Sequence, residues 1–189
     1  IRKVDKSKSI LLIIKNFQAD INSFLTAETR MKEEGWEVDH LIVNDDVSVE
    51  DDNSFEKRRR GVAGTILVHK ILGAAAMDGY TLQQLKELGE VVVSNLHTLG
   101  VALSPASNPA SKETAFTLGE DEVFYGIGIH GERGYRKETF HSSEMLAIEL
   151  MNKLKSHYRW KRGDAVAVLV NGLGAVSWME QCVFANDIR

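Results

Sequence analysis

Short apolar runs alternate along the chain with stretches whose apolar residues recur at helical spacing. Ser9 to Asn16 (SILLIIKN) is a continuous apolar run closed by polar residues, the pattern of a strand covered on both faces rather than on one. Ile21, Phe24, Leu25 and Met31 then fall close to one helical face. Gly35 stops that helix ahead of a second strand, Trp36 to Val43, so the spacing predicts a β-α-β unit. An acidic loop, Asn44 to Asp52, leads into Gly61 to Met77, a nearly all-apolar stretch expected as a buried helix, with Ala74 to Ala76 suited to close packing. Leu85, Leu88, Val92 and Leu96 mark a further amphipathic helix that Thr81 is placed to cap.

The character changes after Leu96. Gly100 to Gly119 carries both prolines among many Ser, Ala and Thr residues, as an irregular crossing segment does, and a lobe boundary is expected there, dividing 1–97 from 98–189. Phe124 to Ile129 (FYGIGI) reads as a strand, and Leu146, Leu150 and Leu154 put an apolar stripe on the following helix. Asp164 to Val170 (DAVAVLV) reads as another buried strand, followed by the glycine-containing turn Asn171 to Gly174 and a last helix. The class predicted is α/β, in two lobes. Each would hold a largely parallel or mixed sheet flanked by helices, with a ligand site between the lobes.

Composition narrows the function. A chain of 189 residues with 43% hydrophobic content can build packed cores, and 27 acidic against 23 basic side chains give a formal charge of −4 with no basic footprint for nucleic acid or an anionic membrane. The basic run Lys57 to Arg60 fits a solvated helix start or a partner's carboxylates better than a nucleic acid. Cys182 is the single cysteine, which rules out an internal disulfide and an all-cysteine zinc site. His69, inside the apolar helix, is expected in the core or an interface. His40, His97, His141 and His157 share no ligand spacing, so no metal site is expected. With neither a signal peptide nor an apolar run of spanning length in the sequence, a cytoplasmic protein is expected, and the first residue, Ile1, suggests a start inside a longer one.

In open α/β sheets ligands bind beyond the carboxyl ends of strands, so polar residues just after the apolar runs are the first candidates for chemistry. Lys15 and Asp20 follow the first run, and His130 follows Phe124 to Ile129 within GIGIHGERG. Taken singly, each has an ordinary reading: a strand-end charge, a carboxylate favoured by a helix dipole, and a loop histidine. The turn NGLGA is a lone glycine-rich loop and not a nucleotide site.

In order, LLIIKNFQADINSF, DDVSVEDD, RRGVAGTILVHKILGAAA, GVALS, FTLGEDEVFYGIGIHGERG and VNGLGA resemble the dihydroxyacetone-binding K subunit of dihydroxyacetone kinase over nearly the whole chain. The resemblance implies that His130 forms a covalent hemiaminal with the carbonyl carbon of dihydroxyacetone. It also implies that Lys15 contacts the substrate and that Asp20 takes the proton from the hydroxyl that receives phosphate. ADP and Mg are then expected on a partner L subunit, and no cofactor on this chain, which has no P-loop. Such K subunits are typically homodimers, and Gly61 to Met77 is a candidate interface.

The family pattern is departed from in several places. Family members resembling this chain extend at both ends, and a GSGHEP loop bearing a second active-site histidine is missing from these residues, as are the elements that complete the second lobe. The chain therefore reads as the central part of a longer member. Arg133 replaces the usual proline after HGE, Ser104 to Ser111 replaces a cysteine-bearing stretch, and Val176, Ser177 and Trp178 replace TPL. These changes would alter docking surfaces. They fit the alternative that the family also offers: a non-enzymatic paralogue that senses dihydroxyacetone and coactivates a transcription factor of the kinase operon.

Overall fold

A computed structural model describes residues 1–5, 7–48, 59–105, 114, 116–158, 160–174 and 176–189. The chain forms two compact units, one of Ile1–Asp45 and Asp51–Leu96, the other of Asp46–Glu50 and His97–Arg189.

In the first unit β1 (Ile10–Lys15), α1 (Gln18–Glu33) and β2 (Val38–Val43) make the expected β-α-β unit, with the strands parallel and in register from Ile10 opposite Val38 to Lys15 opposite Val43. Side chains alternate across the sheet. Leu11 and Ile13 join Leu41, Val43, Val68 and Leu72 in one core, while Ile10 and Leu12 pack with Met31, Trp36 and Val38 in another. Apolar cover on both faces is why the run is continuous. Two strands make a narrow sheet, however, and within β1 only Ile14 is fully buried.

Helix α1 ends in a Schellman motif. Gly35 adopts φ +80°, its N–H donates to Lys32 C=O, the Trp36 N–H donates to Met31 C=O, both at 3.0 Å, and Met31 and Trp36 share one apolar cluster. The apolar stretch forms α2 (Thr65–Met77), which buries only Thr65, Val68, Leu72 and Ala75 and leaves Ile66, Ile71 and Met77 exposed. The expectation of full burial thus fails, because a helix laid on a sheet covers one stripe. His69 lies on the exposed side, not in the core. Helix α3 (Leu82–Ser94) starts from the expected cap at Thr81, which with Gln84 completes a capping box.

The second unit carries an antiparallel sheet in the order β3 (Val101–Ala102), β4 (Glu122–Tyr125), β5 (Arg136–Thr139), with α4 (Ser143–His157) and α5 (Trp178–Ile188). Val123 and Tyr125 pack with Leu146, Leu150 and Phe184, while Phe124 packs with Phe116 and Ile127. The α/β class stands, but here neighbouring strands run antiparallel. The connection 126–135 between β4 and β5 is too short for the helical crossover that a parallel pair requires.

Two strand expectations change. β4 stops at Tyr125 instead of reaching Ile129, because Gly126 turns to φ +78°. Residues 164–170 form no strand, and Val166, Val168 and Leu169 are exposed. A strand needs a neighbour to accept its N–H groups and donate to its carbonyls, and among the described residues none pairs with this segment.

Candidate functional site

Lys15 is the last residue of β1 and Asp20 lies in the first turn of α1, so both fall at the carboxyl end of the first strand, each half-buried. The turn from Lys15 into α1 is tight. Phe17 N–H donates to Lys15 C=O at 2.8 Å, and Phe17 occupies the cap position without a side-chain cap bond, which leaves Asp20 as the acidic group of the first turn.

The approach to α2 holds this strand end in place. Asp45, fully buried, accepts from the Val62 N–H through Oδ1 and from the Gly64 N–H through Oδ2, both at 2.8 Å, and Asn16 Nδ2 donates to Arg59 C=O at 2.6 Å. Between these ties Gly61 lies directly on β1. A Cβ there would stand 2.7 Å from Lys15 Cα and 2.7 Å from Asn16 N, and would overlap Val43 O. Gly61→Ala is therefore expected to destabilise the chain by about 1–3 kcal/mol, the usual cost of forcing atoms into a filled site, and to lower its urea midpoint accordingly.

His130 stands in the second unit, on the β4–β5 hairpin. The connection leaves β4 through buried Gly126, Ile127 and Gly128 and emerges at His130, which is exposed. Cross-bonds shape it: Gly128 N–H donates to Glu132 C=O at 3.1 Å, Tyr135 N–H donates to Tyr125 C=O at 2.9 Å, and Gly131 takes φ +84°. Glu132 meets His130 twice. Its Oε2 accepts from the His130 backbone N–H at 3.0 Å, and its Oε1 lies 3.2 Å from Nδ1. Burial pulls the Glu132 carboxyl up, but hydrogen bonds from its own backbone and from the His130 backbone and ring outweigh that, holding it below the usual carboxylate range. Sequence reading passed over Glu132, whose only signal was a carboxylate two residues from a histidine among glycines.

Lys15 and Asp20 thus share one strand end in the first unit, and His130 tips a hairpin in the second. Of the departures, Arg133 and Trp178 are exposed and Ser177 caps α5 with Glu180. Residues 106–111 of the Ser104 to Ser111 stretch lie outside the described residues. So do 49–52 of the acidic loop and Lys57 and Arg58 of the basic run.

A different cluster was not legible from spacing. Glu28, Asp39 and His40 bring one ligand-type atom each within 4.8 Å of one another. His40 Nδ1 lies 2.7 Å from Glu28 Oε2, Lys32 Nζ 2.6 Å from Glu28 Oε1, and Lys86 Nζ 2.7 and 2.8 Å from the Asp39 oxygens. Alternation along β2 sends His40 to α1 and Asp39 to α3. Each carboxylate already has an ammonium partner, so the group reads as an ion-pair tie between β2 and its two helices. His97 and His157 stack with centroids 5.7 Å apart, and His97 meets Tyr158 edge-on at 4.2 Å, which makes them ring-packing residues.

The architecture is that of an α/β protein with its candidate residues at a strand end and a hairpin tip. The chain belongs to the Dak1 domain family, which matches residues 1–189. It is 47% identical to the PTS-dependent dihydroxyacetone kinase 1, dihydroxyacetone-binding subunit DhaK, of Listeria innocua, over 100% of this chain and 57% of that protein. It is 48% identical to the DhaKLM operon coactivator DhaQ of Lactococcus lactis, over 100% of this chain and 57% of that protein. The solved structure of a dihydroxyacetone kinase operon co-activator, Dha-DhaQ, superposes with a TM-score of 0.91 at 46% identity, covering 99% of this chain and 57% of the other. The chain therefore spans little more than half the length of these relatives.

Proposed function

We propose that this chain is the dihydroxyacetone-binding part of a phosphotransferase-coupled dihydroxyacetone kinase. The ketone is held on His130 as a hemiaminal while a partner subunit, carrying ADP and Mg, delivers the phosphoryl group. Lys15 contacts the bound triose and Asp20 takes the proton of the hydroxyl that attacks phosphorus. The observation that carries this reading is the exposed His130, fixed at the tip of a cross-bonded hairpin in a Dak1 chain.

Addition of imidazole to a carbonyl selects a ketone over glycerol, which has no carbonyl to attack. Phosphoryl transfer then asks the acceptor side mainly for a positioned hydroxyl and a base. We place the protein in the cytoplasm as a homodimer, with the exposed Ile66 and Met77 on one side of α2 as the supporting surface. Among the described residues no helix is long and apolar enough to cross a membrane.

A second reading has its own support: the 48% identity to the operon coactivator and the exposed Arg133 and Trp178. In that reading the same capture sets a conformation that a transcription factor recognises, and no phosphate moves.

One experiment separates the two. Carbonyl-labelled dihydroxyacetone is added to the whole protein and followed by carbon-13 NMR, and dihydroxyacetone phosphate is then assayed after adding the nucleotide-bearing and phosphoryl-relay partners. A tetrahedral carbon signal with turnover is expected. The tetrahedral signal without turnover favours the coactivator, and an unchanged carbonyl signal overturns both.

A further inference from the structure

A carboxylate facing a histidine ring nitrogen determines which nitrogen carries the proton. Glu132 Oε1 lies 3.2 Å from His130 Nδ1, and the same carboxylate holds the His130 backbone N–H through Oε2 at 3.0 Å, so ring and main chain are gripped by one group. An ionised carboxylate only accepts, so Nδ1 carries the hydrogen in the neutral ring and the lone pair resides on Nε2. Glu132 is itself anchored by its backbone, whose carbonyl accepts the Gly128 N–H across the hairpin at 3.1 Å.

We propose that Glu132 is a positioning residue for carbonyl capture: it selects the Nδ1–H tautomer of His130, leaves Nε2 as the nucleophile, and relieves the positive charge that the ring acquires as the bond forms. This rests on the reading that His130 captures the ketone. The Nε2 lone pair makes the new N–C bond and the carbonyl π pair moves to oxygen. The Nδ1 proton passes to Glu132 and the alkoxide takes a proton from water. When Glu132 returns its proton to solvent, one hydrogen has moved from Nδ1 to the new hydroxyl and nothing else has changed. A merely structural Glu132 would hold the loop through the backbone bond and leave the tautomer alone.

The test uses the whole protein with nitrogen-15-labelled histidine, in wild type, Glu132→Ala and Glu132→Gln. Nitrogen shifts of His130 report the tautomer, carbon-13 NMR of labelled dihydroxyacetone reports the capture rate, and a thermal melt reports folding. Wild type is expected in the Nδ1–H form. Glu132→Ala should move the population toward Nε2–H and slow capture by about tenfold or more, the scale on which groups that orient a histidine act. Glu132→Gln, which keeps an acceptor for Nδ1–H without the charge, should restore the tautomer and only part of the rate. A Glu132→Ala protein that keeps both the Nδ1–H form and the wild-type rate overturns the proposal, as does one whose melting temperature falls while the tautomer stays. If the wild type itself forms no tetrahedral carbon, the capture reading fails, and the tautomer measurement still decides what Glu132 does to the ring.

Discussion

Replacing His130 by alanine is expected to abolish capture: the tetrahedral carbon-13 signal disappears, and turnover with the partner subunits falls by roughly 10³-fold or more. The scale follows from what the covalent bond does in the proposed function. Dihydroxyacetone is small, with two hydroxyls and a carbonyl, and hydrogen bonds alone leave it free to reorient. Fixing a reactant in a productive pose is worth effective molarities of about 10⁵–10⁸ M in well-oriented systems, so losing the anchor forfeits a large share of the advantage. Discrimination against glycerol should collapse in the same variant, because only the carbonyl distinguishes the two for a nucleophile.

The fold should tolerate the change. His130 is 58% exposed in its side chain, and surface substitutions usually stay within about 0.5 kcal/mol. The bond from its backbone N–H to Glu132 does not need the ring. A thermal melt unchanged from wild type beside a lost adduct is the expected pair of results. An adduct that survives in His130→Ala moves the chemistry to another nucleophile and removes the central residue of the proposal.

How much of this was legible before the structure depended on whether the information was local. β1, α1 and β2 were readable because every signal agreed: a continuous apolar run, helical spacing, and a glycine where the Schellman motif needs a left-handed residue. Thr81 with Gln84 was half seen, as a cap without its reciprocal bond. β5 was invisible, since Arg136 to Thr139 is polar throughout and becomes a strand only by pairing with β4 at an edge, where charged side chains are at home. Residues 164–170 erred the other way. Their apolar run promised a strand, but a run cannot supply the neighbour that a strand requires.

The site shows the same division. Lys15 and Asp20 were singled out as candidates because strand ends are where polar residues gather, and His130 because it stood among glycines in a resembled segment. Three contacts had to wait for geometry. Glu28 reaches His40 from a different element, Asp45 grips a turn that follows the sheet, and Glu132 turns back on His130 only because Gly131 reverses the chain between them.

Asp20→Asn is expected to separate binding from transfer. Asparagine matches aspartate in shape, so the turn into α1 should persist, at a loss of about 0.3–1 kcal/mol for removing a negative charge near a helix N-terminus. Capture on His130 asks nothing of Asp20, and the tetrahedral carbon signal should remain at wild-type intensity. Transfer does ask for it. The attacking hydroxyl must lose a proton as the bond to phosphorus forms, and a positioned base typically contributes about 10²–10⁴-fold, so kcat should fall within that range while KM for dihydroxyacetone holds. Raising the pH should not restore the rate, since asparagine has no proton to lose in the accessible range. The coactivator reading has no transfer step to slow: the wild type would then capture without turnover, and Asp20→Asn would match it in both the capture and the turnover assay. A variant that captures and turns over like wild type would remove Asp20 from the mechanism and assign the proton to another group.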